Sequence, residues 1–314
     1  MDIQRYIHSA RLSASGVSDV GQVRKANEDN CGYARIALGE LFVVCDGMGG
    51  HVGGATASRI AVDAIVNSLG NEAAQAAVPE ALTTALHFAN DQVVGTAGED
   101  PSLKGMGTTA CIVLIRDNLA WLAHVGDSRI YLFDGNDRRL HRITRDHSLV
   151  QQLVDSGELD DREAEHHPQK NIILSAIGIR ETLKPDVAPQ PLGLVRGDRI
   201  LICSDGLSGM VDDDEIELTL SNIPDSEAAV ASLMSKANAP GKGKDNITIQ
   251  LIDVLEGQDS TRKYKDYNPK WRQRASDEPV QPEGGQNRPV FLRWLIAVTL
   301  LLVAGAVLCW FTLR

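Results

Sequence analysis

LFVVCDGMGGH, at residues 41–51, is the stretch of sequence that decides the fold. Residues 41–45 are all apolar and do not alternate with polar residues, a pattern that indicates a strand buried on both faces. Asp46 follows directly, and the glycines after it allow the main chain to approach a ligand closely. The stretch therefore predicts a carboxylate at the mouth of a buried strand.

Carboxylates recur beside other strand-like apolar runs of the chain. Besides Asp46, these acids are Asp127, Asp205 and Asp245, with Glu28 and Asp29 near the start of the sequence. A single Asp-Gly is better explained as a hairpin turn. Several acids that converge from strand ends would repel one another unless cations offset their charge. Ligands that are all oxygens favour Mg²⁺ or Mn²⁺ over zinc, so the pattern favours such a metal site.

Six motifs follow one another along the chain. They are SDVGQVRKANEDN (18–30), DGMGGH (46–51), GTT (107–109), GDSR (126–129), SDGL (204–207) and DNIT (245–248). In order and approximate spacing, the set resembles the metal-dependent protein phosphatases of type 2C, in particular their bacterial branch. The resemblance covers roughly residues 12–255. It is specific because all six motifs agree, whereas any one of them would be weak.

The resemblance implies an enzyme that hydrolyses phosphoserine and phosphothreonine in proteins. Asp46 would bridge two Mn²⁺ or Mg²⁺ ions, with the Gly47 carbonyl on one ion and Asp205 and Asp245 on the other. Asp127 would hold a third, weaker ion together with Asp205. A water between the two ions would lose its proton and attack phosphorus in line.

Arg24 and two acids receive roles from the same resemblance. Arg24 would bind the substrate phosphate, because a guanidinium grips phosphate oxygens in pairs. Glu28 and Asp29 would contact metal-bound waters or lie behind the ligands, where acids orient the ligands and tune the acidity of the water. Eukaryotic members carry a histidine, proposed as general acid, directly after the central Asp-Gly, and here that position is Met48. The sequence leaves the general acid open between water and another group, and it assigns no role to the nearby His51.

Closely spaced strand-like runs predict an antiparallel α+β fold. Residues 109–116 and 119–125 form a predicted hairpin, because strands joined by so short a turn must be antiparallel. Amphipathic helices are predicted at 55–66 and 79–94. Hairpins separated by two long helices predict a β-sandwich flanked by helices. This agrees with the four-layer αββα sandwich of two antiparallel sheets that the resemblance implies.

Residues 145–195 differ in character from the rest of the catalytic domain, which is predicted to span 12–257. This segment is rich in charge and poor in apolar runs, so we expect a surface excursion over the site. In the family, such a segment acts as a flap that influences substrate choice. His166 and His167 are adjacent and cannot present the same face to a metal, so a solvated pair is expected rather than a zinc site.

Charge and composition exclude one class of partner and indicate the cellular compartment. The formal net charge of −11 argues against a nucleic-acid partner. Cys45, Cys111 and Cys203 lie inside apolar runs, and no cysteine pair has zinc or redox spacing. We therefore expect core packing in a reducing compartment. The first ten residues lack an apolar core segment, so no secretory signal peptide is expected.

The C-terminal part of the sequence is predicted to anchor the protein in a membrane. Residues 258–289 read as a basic and then polar linker. Residues 294–313 follow as 20 consecutive uncharged residues, with a tryptophan near each end, and this length matches a hydrocarbon core of about 30 Å. We predict a single-pass C-terminal anchor at 290–314. The basic residues precede it, which places the catalytic domain in the cytoplasm. A buried soluble helix is the alternative.

The resemblance also predicts the partners of the protein, and two alternative functions stand beside the phosphatase. The resemblance implies phosphorylated proteins as substrates, with a membrane-bound bacterial Ser/Thr kinase as the partner class, and a monomer is expected. One alternative is a pseudophosphatase that binds phosphorylated partners without turnover, which the full set of expected ligands disfavours. The other is a structural Ca²⁺-binding protein. No Asp-rich 12-residue loop occurs, and Arg24 would have no purpose in such a protein.

Overall fold

The computed structural model describes residues 2–50 and 52–257. Its strands are β1 (Gln4–His8), β2 (Leu12–Asp19), β3 (Asn30–Ile36), β4 (Gly39–Cys45), β5 (Gly47–Met48), β6 (Gly107–Thr108), β7 (Ala110–Arg116), β8 (Leu119–Val125), β9 (Arg129–Phe133), β10 (Leu140–Arg142), β11 (Asp186–Val187), β12 (Leu192–Gly193), β13 (Arg199–Cys203) and β14 (Ile247–Val254). Its α-helices are α1 (Gly53–Gly70), α2 (Val78–Glu99), α3 (Leu149–Asp155), α4 (Asp161–His166), α5 (Asp205–Ser208), α6 (Asp213–Asn222) and α7 (Ser226–Ala237).

The strands form two antiparallel sheets. The first sheet has the order β1-β2-β14-β13-β9-β10, and the second has the order β11-β8-β7-β4-β3, with β12 also paired to β8. Strands β5 and β6 form a separate short pair. The predicted hairpin of β7 and β8 is confirmed. Its two turn residues, Asp117 and Asn118, have φ of 52° and 59°, the left-handed conformation that matches the twist of a tight hairpin.

Strand β4 lies at the centre of the packing, as its unbroken apolar run predicts. Residues 41–45 are all fully buried. Leu41 and Val43 face a core shared with α1 and α2. Phe42 and Val44, on the other side of the strand, face a core shared with the first sheet. Successive side chains of a strand point to opposite faces. Because both faces of β4 are covered, neither tolerates a polar residue.

A third core covers the outer side of the first sheet. There Leu201 and Ile249 pack with Ile216 of α6 and Leu233 of α7. The three cores stack helices, sheet, sheet and helices, so the predicted two antiparallel sheets flanked by helices are confirmed. Cys45, Cys111 and Cys203 are free and buried in these cores, which confirms their predicted packing role.

The structure contains longer helices than the sequence predicts, and some elements that it does not predict. The helices predicted at 55–66 and 79–94 correspond to the longer α1 and α2. Strands β1 and β3 and helix α6 were not predicted, because none of these segments shows a clear apolar period. Each is stabilised by its neighbours instead: β3, for example, pairs along its whole length with β4.

Several predictions concern residues outside the described ones. The linker at 258–289, the membrane anchor at 290–314 and His51 lie outside residues 2–50 and 52–257. Within the described residues, no helix combines the length and apolar character needed to cross a membrane.

Candidate active site and metal centre

The strand-end acids meet at one end of the sandwich, and the topology explains why. β4 and β8 both pair antiparallel with β7, so their carboxyl ends point the same way. Asp46 and Asp127 follow those two ends. In the other sheet, β13 and β14 are antiparallel, so the end of β13 lies beside the start of β14. This places Asp205 next to Asp245, and both sheets contribute carboxylates to a single site.

Electrostatic interactions among the carboxylates show how closely they lie. Burial, followed by the charges of Asp29, Asp205, Asp127 and Asp245, raises the pKa of Asp46 well above its ordinary value. The pKa of Asp127 is also raised well above the ordinary value, by burial first and then by Asp205. Burial raises the pKa of Asp205 to about 6 and that of Asp29 to about 7. Without cations, burial and mutual repulsion thus make these groups harder to ionise than ordinary carboxyls.

The donor set fits divalent metal ions. The side-chain atoms of this site that could bind a metal ion are all carboxylate oxygens, which are the ligands that Mg²⁺ and Mn²⁺ prefer. Two buried oxygens, Oδ1 of Asp29 and Oδ1 of Asp127, have no hydrogen-bond partner among the described residues. An unpaired buried oxygen of an ionised carboxylate is costly, and a bound cation or its water would satisfy it. The residues present therefore suit the ions that the sequence implies.

The main chain around Asp46 is fixed by the Gly-Thr-Thr motif. The Asp46 amide donates to Oγ1 of Thr109 at 2.9 Å, and the Thr109 amide donates back to the Asp46 carbonyl at 2.9 Å. Oγ1 of Thr108 donates to the same carbonyl at 2.8 Å. Thr109 also shares a hydrogen bond of 2.7 Å with the Ser128 hydroxyl. The segments that carry Asp46 and Asp127 are thereby joined.

Gly47 occupies a position that only glycine can fill. A Cβ there would lie 2.2 Å from the Gly54 carbonyl oxygen and 2.5 Å from that of Glu28. The Glu28 carboxylate in turn packs on Gly54, where a Cβ would lie 2.2 Å from Oε2. These contacts place Glu28 beside the loop that carries Asp46 and Gly47.

Arg24 reaches the site by an ion pair. Its Nη2 lies 2.7 Å from Oδ2 of Asp245, and both side chains are partly exposed. Interaction with Asp245 raises the pKa of Arg24, and Glu28 and Asp205 add to the effect. The guanidinium thus stands at the edge of the carboxylate cluster, directed at a predicted metal ligand. Met48, half-buried in β5, offers no proton at the position of the eukaryotic histidine.

Three polar residues hold the site in place and received no role from sequence reasoning. Asn246 accepts from the Glu28 amide at 2.8 Å and donates to the carbonyls of Val20 and Ala26, at 2.9 and 3.0 Å. Ser204 donates to Oδ2 of Asp29 at 2.7 Å and accepts from the Thr248 amide. Thr109 fixes Asp46. Asn246 and Ser204 each adjoin a predicted ligand in the sequence, and Thr109 belongs to the Gly-Thr-Thr motif. These were the signals that could have found them.

The predicted flap borders a cavity beside the carboxylates. This cavity, of about 680 Å³, is lined on one side by Asp127 and Asp205 and on the other by residues of α3 and α4. Arg129 and Asp146 also line the cavity, where they form a forked ion pair at 2.7 to 3.2 Å. His166 is exposed and His167 half-buried, and neither belongs to a metal-like cluster of the described residues.

Comparisons with known proteins identify the family of this chain. The family described as protein phosphatase 2C matches residues 22–255. Protein phosphatase PhpP of Streptococcus pneumoniae serotype 2 is 38% identical over 255 residues, covering 78% of this chain and 98% of PhpP. The crystal structure of the serine/threonine phosphatase PstP/Ppp of Mycobacterium tuberculosis has a TM-score of 0.70 at 35% identity, covering 78% of this chain and 100% of that one.

A further structure bears on the metal. The catalytic domain of the serine/threonine protein phosphatase PstP in complex with two manganese ions has a TM-score of 0.68 at 34% identity. It covers 78% of this chain and 99% of that one. The acidic site of the present chain is consistent with metal-dependent catalysis of the same kind.

The chain belongs to the protein phosphatase 2C family. It is a protein serine/threonine phosphatase.

Proposed function

We propose that this phosphatase hydrolyses phosphoserine and phosphothreonine at a centre of two Mn²⁺ or Mg²⁺ ions. The observation that carries the proposal is the convergence of Asp46, Asp127, Asp205 and Asp245 from four strand ends, where burial and neighbouring charge raise the pKa values of the first three. Asp46 and the Gly47 carbonyl would hold one ion, and Asp46, Asp205 and Asp245 would hold the other. Asp127 and Asp205 would hold a third, weaker ion.

The bound ions supply positive charge to the phosphate and activate water as the nucleophile. The protein residues keep the ligands ionised and in position. Thr109 fixes the main chain of Asp46, and Ser204 orients Asp29 through a 2.7 Å hydrogen bond. Asp29 and Glu28 then orient water around the ions. Preorganised charge of this kind accounts for most catalysis of phosphoryl transfer, where the protein supplies little covalent chemistry.

Arg24 binds the substrate phosphate in this proposal. Its guanidinium pairs with Asp245, which the proposal also assigns to a metal ion. With Asp245 engaged as a metal ligand, the guanidinium would be free to donate to phosphate oxygens. The half-exposed position of Arg24 leaves room for this exchange of partners.

We also propose membrane attachment by residues 290–314, with the catalytic domain in the cytoplasm. The support is the uncharged run at 294–313 and the basic residues before it. A membrane-bound Ser/Thr kinase and its substrates are the proposed partners, because a shared membrane surface raises their effective concentration. The phosphatase itself is proposed to act as a monomer. Fractionation of cells that express the full chain or residues 1–257 tests the attachment: the full chain is expected with membranes, and its recovery in the soluble fraction would refute the anchor.

The experiment that tests the activity measures phosphate release from a phosphothreonine peptide. The full chain is compared in EDTA, Mg²⁺ and Mn²⁺. We expect turnover with Mn²⁺ or Mg²⁺ and none in EDTA. Folded protein that binds the peptide but releases no phosphate with either ion would disprove the proposal and support a pseudophosphatase.

A further inference from the structure

Three polar side chains, one buried and two half-buried, join the two ends of the flap. His147 stands at its beginning, Asp186 lies near its end on β11, and His124 lies on β8, directly opposite Asp186 in the sheet. Nε2 of His147 lies 3.1 Å from Oδ2 of Asp186, and Nε2 of His124 lies 3.5 Å from the same oxygen. The two imidazole rings are 4.7 Å apart. One carboxylate therefore joins both ends of the flap to β8.

His147 also holds the turn that carries Asp127. Its main-chain amide donates to the Gly126 carbonyl at 2.9 Å. In return, the Gly126 amide donates to Nδ1 of the His147 ring at 3.3 Å. Both backbone groups of the residue that precedes Asp127 are thus bound by one histidine. The His147 carbonyl also accepts from the Leu174 amide at 2.7 Å, which ties the same residue to a later segment of the flap.

The Gly126 contact fixes the tautomer of His147. A main-chain amide can only donate, so Nδ1 must accept and the neutral ring carries its proton on Nε2. That proton is directed at Asp186. Burial raises the pKa of Asp186, but hydrogen bonds from His124 and His147 outweigh it and hold the pKa below its ordinary value. The ring of His147 is therefore held at both nitrogens, between Gly126 and an ionised carboxylate.

The same three side chains have the composition of a divalent metal site, with one ligand atom from each lying within 4.8 Å of the others. The hydrogen bonds disfavour that interpretation. A neutral His147 that bound a metal through Nε2 would carry its proton on Nδ1, facing the Gly126 amide. The contact at 3.3 Å would then bring two donors together. The geometry suits a hydrogen-bonded unit and not a ligand shell.

We propose that His147 is a positioning residue, which holds the Gly126–Asp127 turn in place and couples it to the ends of the flap through Asp186 and His124. Its consequence for the third ion rests on the proposed function, because Asp127 is the ligand concerned. This unit connects the flap to the turn that carries a carboxylate of the proposed metal centre.

A matched pair of variants separates the two contacts of the ring. In His147→Asn the amide oxygen lies near the position of Nδ1, so it still accepts from Gly126 but cannot reach Asp186. In His147→Gln the amide nitrogen lies near the position of Nε2, so it donates to Asp186 but leaves the Gly126 amide unpaired. The control is His167→Gln, which removes a similar contact of a ring Nδ1 with a main-chain amide, at 3.1 Å, elsewhere in the flap.

Hydrogen exchange at the Gly126 amide measures the contact without any metal. We expect exchange at Gly126 to accelerate in His147→Gln and to stay close to wild type in His147→Asn and His167→Gln. Long-range ¹⁵N spectra of the full chain are expected to show the Nε2-protonated tautomer of His147. Unchanged exchange in His147→Gln, equal acceleration in both His147 variants, or a ring protonated on Nδ1 would each overturn the proposal.

Calorimetric titration with Mn²⁺, without substrate, measures the consequence for the ion. The Mn²⁺-binding event that is missing when Asp127→Asn is titrated is assigned to the Asp127 site. We expect His147→Gln to weaken that event about tenfold, the size usual for residues that orient a ligand, and His147→Asn to weaken it less. If Asp127→Asn itself changes nothing, the third ion of the proposed function is wrong, while the exchange data still decide the role of His147.

Discussion

The clustered acids of the proposed metal centre are placed for catalysis, and their placement costs the metal-free protein stability. Asp46, Asp127 and Asp205 lie close together in a buried site, and burial and mutual repulsion raise their pKa values. Each unit of such a shift corresponds to about 1.4 kcal/mol between the two protonation states. The metal-free protein bears this cost, and bound cations offset it. Activity and metal-free stability should therefore respond in opposite directions to a change of one acid.

Asp46→Asn tests this opposition. We expect kcat with Mn²⁺ to fall at least about a hundredfold, because Asp46 is the ligand proposed to bridge the two ions. The melting temperature in EDTA at pH 8 is expected to rise, because a buried charge is removed. Thermal unfolding in EDTA and phosphopeptide turnover measure the two effects. Asp63→Asn, at an exposed position of α1, serves as control and should change neither.

Arg24→Ala tests the predicted phosphate contact. Hydrogen bonds to charged groups contribute about 1.5–3 kcal/mol, so we expect kcat/KM for a phosphothreonine peptide to fall about tenfold to a hundredfold. Arg24→Lys should recover part of the loss, because it keeps the charge but not the forked geometry. Lys25→Ala changes the exposed neighbouring base and should have little effect. Equal losses for Arg24→Ala and Lys25→Ala would indicate a general effect of charge.

At the scale of elements, the site depends on how closely the start of α1 approaches β5. Gly54, in the first turn of α1, and Gly47, in β5, lie in contact, with the Glu28 carboxylate against Gly54. Neither position has room for a side chain. The contact brings the helix onto the loop that carries Asp46, so its loss should affect the metal centre as well as the packing.

Gly47→Ala is therefore expected to reduce the free energy of unfolding by about 1–3 kcal/mol, the usual cost of overpacking. A Cβ at this position meets main-chain oxygens at 2.2 and 2.5 Å, and these cannot move aside independently. Gly95→Ala is the matched control, because Gly95 lies inside α2 and a Cβ added there would have no atom within 4 Å. That change should stabilise the protein by about 0.5–1 kcal/mol. Denaturant unfolding with metal present measures both, and stabilisation by Gly47→Ala would contradict the packing described.

At the scale of the whole molecule, protons and metal ions compete for the same oxygens. The pKa of Asp205 is raised to about 6 and that of Asp29 to about 7. A carboxyl whose pKa is raised on folding contributes stability below its ordinary pKa, and that contribution is lost as pH rises through the raised value. For the metal-free protein, this contribution should disappear between about pH 4 and pH 7.

The gain in melting temperature on adding Mn²⁺ is accordingly expected to be larger at pH 8 than at pH 5. At pH 5 the ions must displace protons from the cluster, whereas at pH 8 they relieve repulsion between ionised groups. Measuring the gain at each pH removes the contribution of acids outside the site, since these titrate alike with and without metal. An equal gain at both pH values would show that the cluster does not titrate as described.

Much of the fold follows from local sequence. Unbroken apolar runs predicted the buried strands, and the short spacing at Asp117 and Asn118 predicted the hairpin of β7 and β8. Helix α6 and strand β3 escaped prediction because their own sequences carry weak periods, and their neighbours supply the stabilising contacts. The membrane anchor at 290–314 remains a prediction from the sequence, as it lies outside the described residues.

By itself, the sequence determined which acids stand at strand ends and the motif pattern of the family, because apolar runs and the residues that end them are local properties. Only the tertiary structure decided that Arg24 pairs with Asp245, that Asn246 holds the Glu28 loop, and that His147 binds Gly126. The physical reason is that these hydrogen bonds join segments separated along the chain. They depend on which strand ends the two sheets bring together. The local pattern of apolar residues does not contain that information.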